Sequence, residues 1–146
     1  MKNKNLILAA VVAVVVILGW WLLSQRQSEA PAAPQAGLPS EAAAVVTYTD
    51  AGYAPATLTV RKGVTVTFEN KSSGPMWTAS GVHPTHKLYP GSGIEKCGTP
   101  EAAGIFDACA GIQPGGSWTF TMNEIGTWKY HNHLNISRTG TIVVGE

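Results

Sequence analysis

From Val45 to the C-terminus, short runs of β-branched and aromatic residues are cut off again and again by Gly, Pro, Asn or Ser, and this limits that part of the chain to β structure. No ten-residue stretch there carries apolar side chains at helical spacing. Candidate strands are Val45–Thr49, Thr57–Val60, Val64–Glu69, Met76–Ser80, Ser117–Met122, Thr127–His131 and Thr141–Val144. About seven short strands in roughly 100 residues predict an all-β domain over 45–146, a β-sandwich of Greek-key type.

Alternation along the strands assigns faces. Val64, Val66 and Phe68 share one face, with Thr65, Thr67 and Glu69 on the other. Trp118, Phe120 and Met122 likewise oppose Ser117, Thr119 and Thr121. Farther on, Trp128, Tyr130 and Asn132 point one way and Thr127, Lys129, His131 and His133 the other. Lys129 marks the second of these faces as the one turned toward water.

The N-terminal part is different. Leu6 to Leu23 is an unbroken apolar run, counting Gly19. As a helix it spans about 27 Å, close to the roughly 30 Å hydrocarbon core of a bilayer. Lys2 and Lys4 precede it, and Trp20 and Trp21 lie near its far end. A single transmembrane helix over 6–23 is therefore expected, with 1–5 in the cytoplasm and the rest on the extracytoplasmic, periplasmic side. The rival reading is a cleaved signal peptide, whose apolar region usually runs about 7–15 residues. The longer run and its tryptophans favour the anchor, and both readings export the domain. Residues 24–44 form a linker in which Ser28 to Ala43 is rich in Ala and Pro and reads as a semi-extended spacer. A formal net charge of +1 with scattered Lys and Arg gives no reason to expect a nucleic-acid partner.

Gly81 to Gly116 interrupts the strand rhythm, and a loop this long in a compact domain is usually functional. It contains Cys97 and Cys109, the only two cysteines. In an oxidising compartment such a pair usually bridges, contributing about 3 kcal/mol by loop closure. The alternative keeps Cys109 as a thiolate ligand.

All four histidines fall in two clusters, His83-Pro84-Thr85-His86 and His131-Asn132-His133. On a strand, residues two apart lie about 6.5 Å from each other on the same side. Two such imidazoles can converge on one ion about 2 Å from each ring nitrogen. Pro84 fixes its own φ and stiffens the other pair. An isolated histidine is more often a hydrogen-bonding residue, but two clusters that use every histidine point to a metal site. Imidazole suits Cu, Zn, Fe and Ni. Asp107 is a candidate to orient a ligand imidazole by accepting its second N–H.

The run from Ala54 to Asn70 (APATLTVRKGVTVTFEN) resembles the opening strands of cupredoxins such as plastocyanin and amicyanin. Gln113 to Thr121, Gly126 to His131 and Gly140 to Val144 resemble their closing strands. The resemblance covers nearly all of Val45 to Glu146 and implies a cupredoxin-like sandwich. It does not extend to the blue-copper ligands. Aligned on Tyr130, the Cys position holds Asn132, the next His position Asn135, the Met position falls near Arg138 and the early His position near Met76 or Trp77.

Gly126 to Leu134 (GTWKYHNHL) is also similar to a segment of the first domain of multicopper oxidases, where both histidines bind copper. That family's partner segment is H-x-H, whereas His83 and His86 are spaced H-x-x-H. Together these resemblances imply copper, held by His83, His86, His131 and His133 in a centre closed by the 81–116 loop or shared between subunits of a homo-oligomer. The expected role is a membrane-anchored carrier in electron transfer, with a redox or copper-transfer protein as partner, or copper handling without turnover. An enzyme reducing nitrite or oxygen species ranks lower, because no general acid or base beyond Asp107 is legible. A purely structural sandwich ranks last.

Overall fold

The computed structural model describes residues 44–146. The expected anchor, the segment before it and the linker up to residue 43 lie outside the described residues. No helix among the described residues is long and apolar enough to cross a membrane.

Eight strands make two four-stranded sheets. The first sheet has the order β2-β1-β4-β6, from Gly52–Ala54, Ala44–Thr49, Thr65–Asn70 and Ser117–Thr121. The second has the order β3-β8-β7-β5, from Thr57–Arg61, Asn135–Gly145, Gly126–Asn132 and Thr78–Ser80. β1 runs parallel to β4 and β3 parallel to β8; the remaining pairs are antiparallel.

The differences from the expected strands have local causes. β2 was not expected: it has three residues and begins at Gly52, whose φ of 122° is open to glycine. β8 starts at Asn135 and not Thr141: Asn135–Arg138 is mostly exposed, its one apolar residue Ile136 included, yet Asn135 still pairs with Asn132 of β7 across an irregular register at His131/Asn132. β5 is shorter than Met76–Ser80; Met76 instead forms a single bridge to Ile112.

Alternation builds the core. Val46, Val66, Phe68, Phe120, Met122, Tyr130, Ile142 and Val144 all turn inward. Tyr130 meets Phe68 and Tyr53 edge-on, with ring centroids 5.3 and 4.9 Å away. Gly140, directly across from Tyr130, makes room for that ring. A Cβ at residue 140 would sit 2.2 Å from the Tyr130 hydroxyl oxygen. Gly140→Ala should therefore overpack the core and cost about 1–3 kcal/mol, seen as a Tm drop of about 4–8 °C per kcal/mol. An unchanged Tm would mean that Tyr130 can move without cost.

The 81–116 loop is more ordered than its composition implied. It contains two short 3₁₀ turns, Ile94–Lys96 and Pro100–Gly104. Its Ile105–Ala108 stretch lies along β5: Ser80 N–H donates to Phe106 O (2.8 Å) and Ala108 N–H to Thr78 O (2.9 Å). Phe106 from this loop is fully buried, 5.0 Å from Phe120 and 5.9 Å from Phe68 by ring centroid.

Candidate metal centre

Residue pairing explains how the histidines meet. Ala79 in β5 lies opposite His131 of β7 on one side and opposite Asp107 of the loop on the other. Residues opposite each other in antiparallel strands share a face. His131, Ala79 and Asp107 thus form a row on the outer face, and the small Ala79 leaves space above it. Trp77 and His133, each two residues along, extend the row. Tyr130 and Asn132 turn the other way, into the sandwich.

Over this row the loop lays His83 and His86. The ring of His83 lies 5.4 Å from His131 and 5.0 Å from His133; that of His86 lies 5.1 and 4.9 Å from the same two. Each histidine offers one ring nitrogen, and these four nitrogens all lie within 4.8 Å of one another. His86 and His131 are buried, His133 is half-buried and His83 is exposed. The face alternation placed His131 and His133 on the wetted side of β7, and they do occupy that face. The loop above takes His131 out of water.

His86 is held firmly. Its Nδ1 lies 2.5 Å from Asp107 Oδ2, and both side chains are fully buried. The other carboxylate oxygen, Oδ1, accepts Trp77 Nε1–H (2.6 Å) and Cys109 N–H (2.8 Å). With Nδ1–H donating to Asp107, His86 Nε2 keeps a lone pair, and it lies 3.0 Å from His133 Nδ1. Two nitrogens bound to one ion at about 2.0–2.1 Å, 90–110° apart, are themselves about 2.9–3.4 Å apart. His86 also sits at φ 58°, a left-handed conformation that costs a residue with a side chain about 1–3 kcal/mol and is typical of functional sites.

The electrostatics favour the neutral form of His131 and His133. Burial, with the neighbouring imidazoles of His86, His83 and His133, pushes His131 down to about 4. Burial, followed by His86 and His83, lowers His133 as well. The neutral imidazole is the form that binds a metal. His131 Nε2 is buried with no hydrogen-bond partner. A buried nitrogen left unpaired costs about 1–3 kcal/mol, and an ion among the four rings would satisfy it.

Cys97 and Cys109 are joined in a disulfide, with Cα atoms 5.3 Å apart. This corrects the alternative of Cys109 as a thiolate ligand: its Sγ is already bonded to Cys97. Asp107 lies against His86 as an acceptor, the place expected for a carboxylate orienting a ligand. Trp77 and Ala79 were not among the expected site residues. The one available signal was that the family's early histidine falls near Trp77.

No protein-family model matches the chain. No curated protein is similar to it in sequence. Solved structures do match it. The purple cupredoxin from Nitrosopumilus maritimus is 21% identical over 70% of this chain and 99% of its own, with a TM-score of 0.53. A point mutant of amicyanin in its Cu(I) form is 20% identical over 74% of this chain and 87% of its own, with a TM-score of 0.51.

The domain has the cupredoxin fold. Within it none of the four blue-copper ligands is retained. Asn132 stands at the thiolate position and is used structurally: its Oδ1 accepts Trp77 N–H (3.0 Å) and Leu134 N–H (3.1 Å), and its Nδ2 donates to the Tyr48 hydroxyl (2.9 Å). Met76 is core. Arg138 donates to the carbonyls of Asp50 and Ala51. The cupredoxin-like domain instead carries its histidine group on the outer face of β7, beneath the loop.

Proposed function

We propose that this chain is an extracytoplasmic copper-binding protein, anchored by residues 6–23, in which His83, His86, His131 and His133 hold one copper ion for electron transfer. The observation that carries this reading is the convergence of every histidine in the chain onto one point, with His131 Nε2 buried and unpaired. The four imidazoles meet within one chain, so a second subunit is not required to assemble the site.

Copper bound there would supply the Cu(I)/Cu(II) couple. The protein's own part is to hold the rings. β7 fixes His131, the bond from the His133 amide to the Trp77 carbonyl fixes His133, Asp107 fixes His86, and the disulfide closes residues 97–109 of the loop next to Asp107. A site held this firmly changes little between oxidation states, which suits a carrier. The exposed His83 reaches the surface, so a redox partner could approach within a short distance. Copper handling is the second reading, favoured by the same exposed histidine, through which a ligand exchange with a copper-transfer partner could begin.

The test is to load the full-length protein with Cu(II) and record stoichiometry with optical and electron paramagnetic resonance spectra. About one copper per chain, nitrogen hyperfine structure and no intense thiolate-to-copper band are expected. A strong thiolate band would overturn the all-histidine assignment. No bound copper would overturn the proposal. Reversible cycling with ascorbate and ferricyanide without release of the ion separates carrier from copper handling.

A further inference from the structure

One residue outside the ligand set contacts both His133 and the carboxylate that holds His86. Trp77 lies just before β5, and its backbone bonds to the side chain of Asn132 and to the amide of His133. Its N–H donates to Asn132 Oδ1 (3.0 Å), and its carbonyl accepts His133 N–H (2.7 Å). Its indole ring lies against the His133 imidazole, with centroids 4.4 Å apart at an interplanar angle of 38°. Its Nε1–H reaches the opposite way, to Asp107 Oδ1 (2.6 Å), and Asp107 Oδ2 in turn holds His86. One side chain therefore touches a ligand from the strand and the carboxylate that orients a ligand from the loop. These residues are far apart in sequence.

Asp107 makes the indole donor consequential. The carboxylate is fully buried, and its three hydrogen bonds come from His86, Trp77 and the Cys109 amide. No Lys or Arg bonds to it among the described residues. A buried carboxylate in this position depends on its donors to stay where it is. Without the indole N–H, Oδ1 would keep only the Cys109 amide. The carboxylate could then rotate, and the His86 ring would no longer be fixed at its angle to His133.

We propose that Trp77 is the positioning residue of this centre: by donating to Asp107 while packing on His133 it sets the separation of the two histidine pairs, and with it the metal affinity. The inference rests on the metal reading given above. Outer-shell partners of this kind typically contribute about 10- to 100-fold in affinity.

The test uses full-length protein, purified metal-free, with Trp77→Phe, Asp107→Asn and the double variant. Cu(II) affinity is read by competition with a chelator. Trp77→Phe keeps a ring beside His133 and removes the donor. It should bind about one copper, about 10- to 100-fold more weakly, with altered nitrogen hyperfine structure. Asp107→Asn should show a similar loss, and the double variant should be no worse than the poorer single, since both act through one chain of contacts. A merely structural Trp77 would lower the Tm of the metal-free protein and leave the affinity within about twofold of wild type, and that result overturns the inference. A second readout does not depend on any variant folding. In nitrogen-15 spectra of the wild type, adding Zn(II) as a diamagnetic probe should shift the indole N–H signal of Trp77; an unmoved signal also overturns it. Wild-type protein that binds neither metal would instead overturn the metal reading itself.

Discussion

His131→Ala should abolish tight copper binding while leaving the metal-free domain folded. The side chain is 5% exposed, its Nε2 has no partner, and its ring faces those of His83 and His86 at 5.4 and 5.1 Å. As a direct ligand it should matter more than the 10- to 100-fold typical of an outer-shell partner. Its effect on the metal-free fold is expected to be small for a physical reason. Removing the ring leaves a cavity, which destabilises. The same change also removes an unpaired buried nitrogen, whose cost is about 1–3 kcal/mol. The two effects oppose each other. Calorimetry with and without Cu(II) separates them. At a free copper concentration of about 100 times Kd, wild-type protein gains about 2.7 kcal/mol, a Tm rise on the order of 10–20 °C for a domain of this size. His131→Ala should keep nearly the wild-type Tm without copper and show almost none of that rise. Retention of one tightly held copper by His131→Ala would remove His131 from the ligand set and leave its burial unexplained.

The sequence announced different parts of this arrangement with different clarity. Short β-branched and aromatic runs located seven of the eight strands; six of these have five or more residues, and three-residue β5 was found inside the longer run Met76–Ser80. Gly52–Ala54 is too short for any alternation, and it pairs with β1 only because a tight turn brings it back. The His131/His133 pair was legible because extended backbone puts i and i+2 on one side whatever its neighbours are; His83 and His86 were legible only as a second cluster. That the loop pair lies over the strand pair depends on β5 and the Ile105–Ala108 stretch pairing at long range, which local sequence does not encode. Trp77 was invisible for the same reason: its partners lie 30 positions away at Asp107 and farther still at His133. The cysteines favoured a bridge and kept a thiolate ligand as the alternative until the bond between them was seen.

Phe106→Ala should be among the most destabilising single changes in the domain, and it should damage the histidine site from a distance. Phe106 is a loop residue that behaves as core. It is fully buried, with ring centroids 5.0 Å from Phe120, 5.7 Å from Tyr89, 5.9 Å from Phe68 and Tyr130, and 6.0 Å from Trp118. Truncating such a ring costs about 3–5 kcal/mol, a large share of the 5–15 kcal/mol that keeps a domain folded. The Tm should fall by more than about 10 °C. The loss should be concentrated in the loop, because Phe106 fastens it to the sandwich, and Asp107 is the next residue. Loop opening would carry away His83, His86 and Asp107 and leave His131 on β7 and His133 just past its end. Hydrogen exchange can detect this. The amides of Ser80 and Ala108, which bond across the loop–β5 junction, should exchange faster in Phe106→Ala by a larger factor than amides between β7 and β8. Copper should partly reverse the effect, since an ion bridging the two histidine pairs binds only the closed loop. If exchange instead accelerates equally in both sheets, the loop and the sandwich open as one unit. The site's rigidity would then belong to the fold as a whole, and the anchor at Phe106 would have no separate part in it.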